Sequence, residues 1–104
     1  MVLRDRVADG NFDYLVNWYA AQCDGEWEHE YGIRLETLDN PGWSISIDLS
    51  GTSAEGRIQK MSRREIGDRK WIIFESTGIS FEASCDPLSL QEVVEEFRIF
   101  VESQ

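Results

Sequence analysis

The spacing of apolar residues changes along this chain from a helical period to an alternating one and back again. Between Asn11 and Cys23 apolar side chains recur at intervals of three and four, which is the pattern of one helix face. Those positions are Phe12, Leu15, Val16, Tyr19 and Cys23. A second helical stripe follows Ser89 and consists of Leu90, Val93, Val94, Phe97, Phe100 and Val101. The region between the two stripes alternates instead, which is typical of half-buried strands.

The alternating region predicts five strands. The first extends from Glu26 to Thr37, and one of its two predicted faces carries Trp27, His29, Tyr31, Ile33, Leu35 and Thr37. Its other face carries Glu26, Glu28, Glu30, Arg34 and Glu36. The remaining strands are predicted at residues 43–49, 57–61, 71–76 and 79–84. The run Trp71-Ile72-Ile73-Phe74 predicts that the fourth strand is buried on both faces.

Local signals mark the ends of these elements. Asn11 is a predicted N-cap, and Ser89 with Glu92 predicts a capping box supported by a Leu88–Val93 hydrophobic staple. Asp39-Asn40-Pro41-Gly42 predicts a type II turn, because proline presets one central residue and glycine accepts a positive φ at the next. Six of the ten basic residues lie in the third strand or between it and the fourth, where we expect a solvated edge and hairpin loop: Arg57, Lys60, Arg63, Arg64, Arg69 and Lys70.

We therefore predict an α+β fold: a five-stranded antiparallel meander with an N-terminal and a C-terminal helix packed on one face. A sheet and an amphipathic helix each have one apolar side, and packing them together covers both. At 104 residues the chain matches the usual size of one domain. We assign residues 1–104 to that domain.

The net charge of the chain indicates which class of macromolecule it can bind. The chain has 20 acidic and 10 basic residues and a formal net charge of −10. That balance argues against binding to nucleic acid or to an anionic membrane, and it favours a basic protein partner. The first ten residues lack the long apolar core of a secretory signal, and the two cysteines form no scaffold pattern, so we expect a cytoplasmic protein.

Cys23 and His29 suggest a thiol–imidazole pair, as in a small sulfurtransferase-like enzyme. The helical pattern favours another interpretation, a buried and unreactive Cys23, because a helix C-terminus disfavours a thiolate. His29 falls on the apolar strand face, where a structural histidine hydrogen-bonded to a neighbour is the usual arrangement.

A metal site could draw its ligands from Cys23, Asp24, Glu26, Glu28, His29 and Cys85. Strand alternation points Glu26 and Glu28 away from His29, so we predict no metal site. The sequence contains no phosphate-binding glycine loop and no nucleophile elbow, and we predict neither a cofactor nor catalytic residues.

Two sequence motifs carry a family resemblance. The first is the segment Trp18–Ile33, which includes Gln-Cys-Asp-Gly-Glu-Trp-Glu-His, and the second is Asp39-Asn40-Pro41-Gly42-Trp43, followed by Ile47-Asp48-Leu49. In these motifs the chain resembles immunity protein family fifty-three of bacterial polymorphic toxin systems. The resemblance implies a small cytoplasmic protein that binds and neutralises a cognate toxin.

Taken with the charge, the resemblance predicts a non-enzymatic inhibitor of a basic toxin domain, such as a nuclease. Tryptophan is enriched at interface hot spots, so one of Trp27 and Trp43 is a candidate anchor. The candidate partner-binding residues are Asp24, Glu26, Trp27, Glu28, His29, Asp39 and Trp43. The alternatives are the thiol enzyme and a domain that assembles only with itself; we expect a monomer or a weak homodimer.

Overall fold

Five antiparallel strands form one sheet, flanked by a helix at each end of the sequence. The computed structural model describes residues 10–103. The helices are α1 (Asn11–Gln22), α2 (Trp27–Glu30) and α3 (Leu90–Glu102), and the strands are β1 (Ile33–Leu38), β2 (Gly42–Asp48), β3 (Ile58–Gly67), β4 (Lys70–Thr77) and β5 (Ser80–Cys85). The predicted α+β class, with its antiparallel five-stranded sheet and two terminal helices, is confirmed. The expectation about a secretory signal concerns residues 1–10, of which residues 1–9 lie outside the described residues.

The strand order is β1-β2-β5-β4-β3, which differs from that of a simple meander. The β1–β2 hairpin and the β3–β4–β5 meander lie side by side, joined through antiparallel pairing of β2 with β5. This order places β5 at the centre, where Phe81, Ala83 and Cys85 are all buried. The apolar residues of β5 are therefore covered by a paired strand on each side and by the helices above.

The core lies between one face of the sheet and the two long helices. The sheet contributes Ile45, Ile47, Ile72, Phe74, Phe81, Ala83 and Cys85, and α3 contributes Val93, Val94, Phe97, Phe100 and Val101. Phe97 is fully buried, with its ring centroid 5.2 Å from that of Phe81 in β5 and 5.0 Å from that of Trp18 in α1. One α3 side chain thereby connects the sheet to α1.

The buried face of α1 differs from the predicted stripe. Leu15 and Trp18 are buried, whereas Val16 and Tyr19 are 61% and 39% exposed. The helix is rotated so that Trp18, which has the larger apolar surface, reaches Phe97. The predicted N-cap is also displaced, since Gly10 occupies that position and Asn11 begins the helix.

The predicted first strand was wrong over its first half, because residues 27–30 form α2 and β1 begins only at Ile33. Its burial is also weaker than predicted, since Leu35 is 43% exposed although it lies opposite the buried Ile45. In β4 only alternate residues are buried, with Ile72 and Phe74 facing the helices, so the prediction of burial on both faces was wrong.

The turn before α3 is organised by Asp86 instead of the predicted capping box. Ser89 is the N-cap residue but makes no side-chain cap bond, and Leu88 is 76% exposed, which excludes the predicted staple. The Asp86 carboxylate is buried and accepts the N–H groups of Trp71 (2.8 Å) and Leu88 (2.9 Å). The pKa of Asp86 is lower than that of a free carboxyl group. Burial alone would raise it, but the Ser89 hydroxyl and these two N–H groups stabilise the charged form and together have the larger effect.

The basic segment forms an edge strand, as predicted. Among the described residues β3 pairs only with β4, and it carries two register shifts, between Gln59 and Ser62 and between Glu65 and Gly67. Arg64 reaches across to α3 and forms an ion pair with Glu96 at 2.5 Å. On the opposite face of the sheet, the guanidinium of Arg63 lies 5.6 Å from the centre of the Trp71 ring.

The β1–β2 turn ends on a glycine that no other residue can replace without movement of the backbone. Gly42 opens β2 with φ 158°, and a Cβ atom at this position would lie 2.2 Å from the carbonyl oxygen of Cys85. A turn is present at residues 39–41, but the predicted central position of Gly42 was wrong, because Gly42 pairs with Leu38 as the first residue of β2. The close approach of β5 is the reason for this glycine.

We expect Gly42→Ala to lower the free energy of unfolding by about 1–3 kcal/mol or more, because the sheet must open to admit the methyl group. Gly32→Ala is the matched control, since a Cβ there meets nothing within 4 Å. Chemical denaturation of both variants measures the difference. Equal stability of the two variants would contradict the close approach.

Candidate functional site

Two carboxylates build the turn between α1 and α2 by binding its main chain. The Oδ1 atom of Asp24 accepts the N–H groups of Glu26 and Trp27, each at 3.0 Å. The carboxylate of Glu28 accepts in return the N–H groups of Asp24 (3.0 Å) and Gly25 (2.9 Å). This reciprocal arrangement satisfies N–H groups that a helix start leaves unpaired. It explains why residues 27–30 adopt a helical turn instead of the predicted strand.

The same hydrogen bonds keep Asp24 ionised. The N–H groups of Trp27 and Glu26 favour its charged form and lower its pKa below the usual 3.8. A lowered folded-state pKa contributes stability above the unfolded value, and this stability is lost as the pH falls through the folded-state pKa. Protonation of Asp24 at low pH is therefore expected to destabilise this turn.

Trp27 is a core residue. Its side chain is 7% exposed, and its indole Nε1–H donates to the carbonyl oxygen of Ser50 at 2.7 Å. Its ring meets Trp18 edge to face, with centroids 6.3 Å apart. Trp27 thus fixes the loop after β2 against α1, so it is not available as an exposed anchor.

A cleft of about 360 Å³ opens beside this turn. Its lining residues are Ala21, Gln22, Asp24, Glu26, Trp27, Glu30, Tyr31 and Gly51. Glu26 and Glu30 are exposed, and within residues 10–103 no side-chain hydrogen bond or ion pair occupies either carboxylate. Tyr31, which is 37% exposed, supplies an aromatic wall. The cleft can offer two free carboxylates and a ring to a basic partner. We call it the acidic cleft.

The structure separates the predicted site residues into two groups. Five of them lie together on the turn and α2: Asp24, Glu26, Trp27, Glu28 and His29. Asp39 and Trp43 lie at the far end of the β1–β2 hairpin, roughly 17 Å away along the strand. Trp43 is partly buried, and its Nε1–H donates to the carbonyl oxygen of Pro87 at 3.0 Å.

Glu30 and Tyr31 belong to the acidic cleft but are absent from the predicted site. The assumed strand period placed them on opposite faces, whereas α2 brings both to the cleft. A sequence signal for this helical turn was present. Asp24-Gly25 is followed by a carboxylate at position 28, and an acidic residue three or four positions after a turn residue is typical of a helix start.

The two cysteines occupy opposite environments. Cys23 is exposed, so the prediction of a buried thiol was wrong, and its Sγ–H donates to the carbonyl oxygen of Tyr19 at 3.4 Å. His29 is also exposed, so its predicted place on an apolar face was wrong, and among the described residues no hydrogen bond joins it to Cys23. Cys85 is buried, and that burial raises the pKa of its thiol to about 11.

Residues 10–103 contain neither a metal-ligand cluster nor a membrane-spanning helix. No three His, Cys, Asp or Glu side chains in this range are grouped in a way that could hold a metal ion. No helix in this range is long and apolar enough to cross a membrane.

We expect Asp24→Asn to remove part of the acid sensitivity of folding. The amide keeps an acceptor oxygen but cannot titrate, so the variant loses less stability than the parent as the pH falls below about 4. Denaturant unfolding at a series of pH values measures this. Glu26→Gln is the control, since its carboxylate accepts no hydrogen bond in the described chain. Parallel pH profiles for the parent and Asp24→Asn would refute the assignment.

Comparison with known protein families identifies a match over most of the chain. The family model for Immunity protein 53 matches residues 12–102, which cover the whole sheet, α2, α3 and all of α1 except its first residue. A search of curated proteins and a search of solved structures each gave no match. Since the matched region spans most of the 104 residues, the chain belongs to the Immunity protein 53 family.

Proposed function

We propose that this chain binds the cognate toxin of a bacterial polymorphic toxin system and neutralises it by direct protein–protein contact in the cytoplasm. Membership of an immunity protein family supports an immunity function and a toxin partner. The observation that carries the finer proposal is the acidic cleft, where Glu26 and Glu30 are exposed and unpaired beside Tyr31.

Electrostatics favours a basic toxin surface as the partner. Complementary charge accelerates the encounter of two proteins, and the net charge of −10 acts over the whole molecule. Tyr31 and the neighbouring Tyr19 add large rings that are 37% and 39% exposed, and such residues are frequent at interface hot spots. A nuclease domain, which must carry a basic surface for its own substrate, has the required chemistry.

Asp24 and Glu28 act indirectly in this proposal. Their carboxylates are committed to main-chain N–H groups, and they hold the turn that carries Glu26. Asp39 and Trp43, at the other end of the hairpin, would contact only a toxin that spans the β1 side of the sheet.

We expect Glu26→Lys with Glu30→Lys to abolish protection of cells that express the toxin domain encoded beside this gene, and to slow association by roughly tenfold or more. The matched control is Glu92→Lys with Glu95→Lys, which changes net charge equally on the exposed face of α3. Cell survival and surface plasmon resonance measure the two effects, with thermal melts to confirm folding. Full protection by the cleft variant would place the toxin elsewhere.

The thiol alternative has its own test, because Cys23 is exposed. We expect Cys23→Ser and His29→Ala each to retain full protection, since the two side chains share no hydrogen bond in the described residues. We also expect iodoacetamide to modify native Cys23 no faster than a free thiol. Loss of protection in both variants, together with accelerated alkylation, would favour an enzyme.

A further inference from the structure

In the part of the chain that the structure describes, the outer edge of β1 has its main-chain hydrogen-bonding groups free and regularly spaced. Within residues 10–103, β1 pairs with β2 alone, without a register shift from Ile33 to Leu38. Asp48 donates its N–H to the carbonyl of Gly32 at 3.0 Å, so the main-chain groups of Gly32 face β2. Because these groups alternate sides along a strand, those of Ile33, Leu35 and Thr37 point away from β2. This edge can accept a further strand.

Side chains on both faces of β1 are also uncovered. Leu35 lies on the helix side of the sheet, opposite Ile45, yet it is 43% exposed because neither long helix extends over it. Next to it, Val16 and Tyr19 of α1 form an apolar groove of about 350 Å³ with Ile33. On the other face Arg34 and Glu36 are exposed, and Arg34 donates to the Ser46 hydroxyl at 3.3 Å.

We propose that the β1 edge binds β1 of a second copy of this chain, antiparallel and across a two-fold axis at Leu35. The alternation of main-chain groups restricts a symmetric pair to axes centred on a residue. An axis at Arg34 would oppose two arginines, and an axis at Glu36 would oppose two glutamates. An axis at Leu35 sets each Arg34 against Glu36 of the other copy.

With the axis at Leu35, the outward main-chain groups of β1 all find hydrogen-bonding partners in the second copy. The outward N–H and C=O groups of Leu35 bond to those of its counterpart, and those of Ile33 bond to those of Thr37. The two Leu35 side chains meet on the helix side, and the apolar grooves beside α1 approach the axis. Opposite charges across strands stabilise a pair, whereas like charges in that position destabilise it. The inference does not depend on the proposed toxin contact.

The first experiment measures molar mass by light scattering and sedimentation over a wide range of protein concentration, at about 0.15 M salt, where distant charges are screened. The parent chain is expected to reach twice its monomer mass, and Leu35→Asp is expected to remain a monomer. Met61→Asp is the control, since Met61 is 64% exposed on the opposite edge strand β3. A parent chain that stays monomeric at every concentration would overturn the proposal.

The second experiment uses charge reversal and does not depend on Leu35. Arg34→Glu alone opposes glutamates at both pairs, and Glu36→Arg alone opposes arginines, so each variant should dimerise at least tenfold more weakly than the parent. Mixing the two variants restores complementary pairs, and native mass spectrometry should then show the mixed dimer. The double variant Arg34→Glu with Glu36→Arg should recover the homodimer.

Further outcomes separate this proposal from the toxin contact. Dimers that persist in both single variants and in Leu35→Asp would overturn the β1 register. A monomeric parent whose Leu35→Asp variant loses protection would assign the edge to the toxin instead, and this result also overturns the proposal. Loss of protection in the acidic-cleft variant with an intact dimer supports both proposals separately.

Discussion

The packing of Phe97 against Phe81 and Trp18 is the contact on which the rest of this fold depends. Each long helix has one apolar face, and both helices pack against the single apolar face of the sheet. Phe97 is completely buried where these three surfaces meet. Because Trp18 must reach Phe97, α1 is rotated, and Val16 and Tyr19 are left exposed next to β1. The apolar groove at that edge therefore follows from a requirement of the core.

A second constraint is the use of carboxylates by the main chain. Asp24, Glu28, Asp48 and Asp86 each accept at least one backbone N–H group from a turn or a strand end. These acids replace peptide hydrogen bonds where the chain leaves regular structure. Part of the acidic composition is thus structural, whereas Glu26 and Glu30 are exposed and make no hydrogen bond or ion pair within residues 10–103. Net charge alone does not distinguish the two groups.

The sequence predicted the elements that have a long and regular pattern. The stripe from Leu90 to Val101 is buried as α3, and the alternation from Trp43 to Leu49 is β2 with its inward residues buried. The family was identified from the motifs around Trp18–Leu49, and the family model confirms it. The strand order was not predictable, because hydrophobic alternation does not specify which strand becomes the neighbour of another.

The candidate site was predicted less well than the fold. Residues 26–31 alternate between acidic and aromatic types, so a period of two fits them as well as a short helix does. Side-chain bonds to the main chain decided the outcome, since Asp24 and Glu28 both bind N–H groups of the turn. The burial of Trp27 depends on Ser50, which is 23 residues away in sequence. No pattern in the neighbouring sequence predicts a contact between residues so far apart.

The two register shifts of β3 limit how large an assembly of this sheet can become. A bulged and charged edge is a poor template for another strand, and β3 also carries Arg63 and Arg64. Pairing of two chains through β1 uses both regular edges and leaves a β3 edge at each end of the joined sheet. Under the proposed pairing, growth would stop at two copies, so the open β1 edge would not lead to fibres.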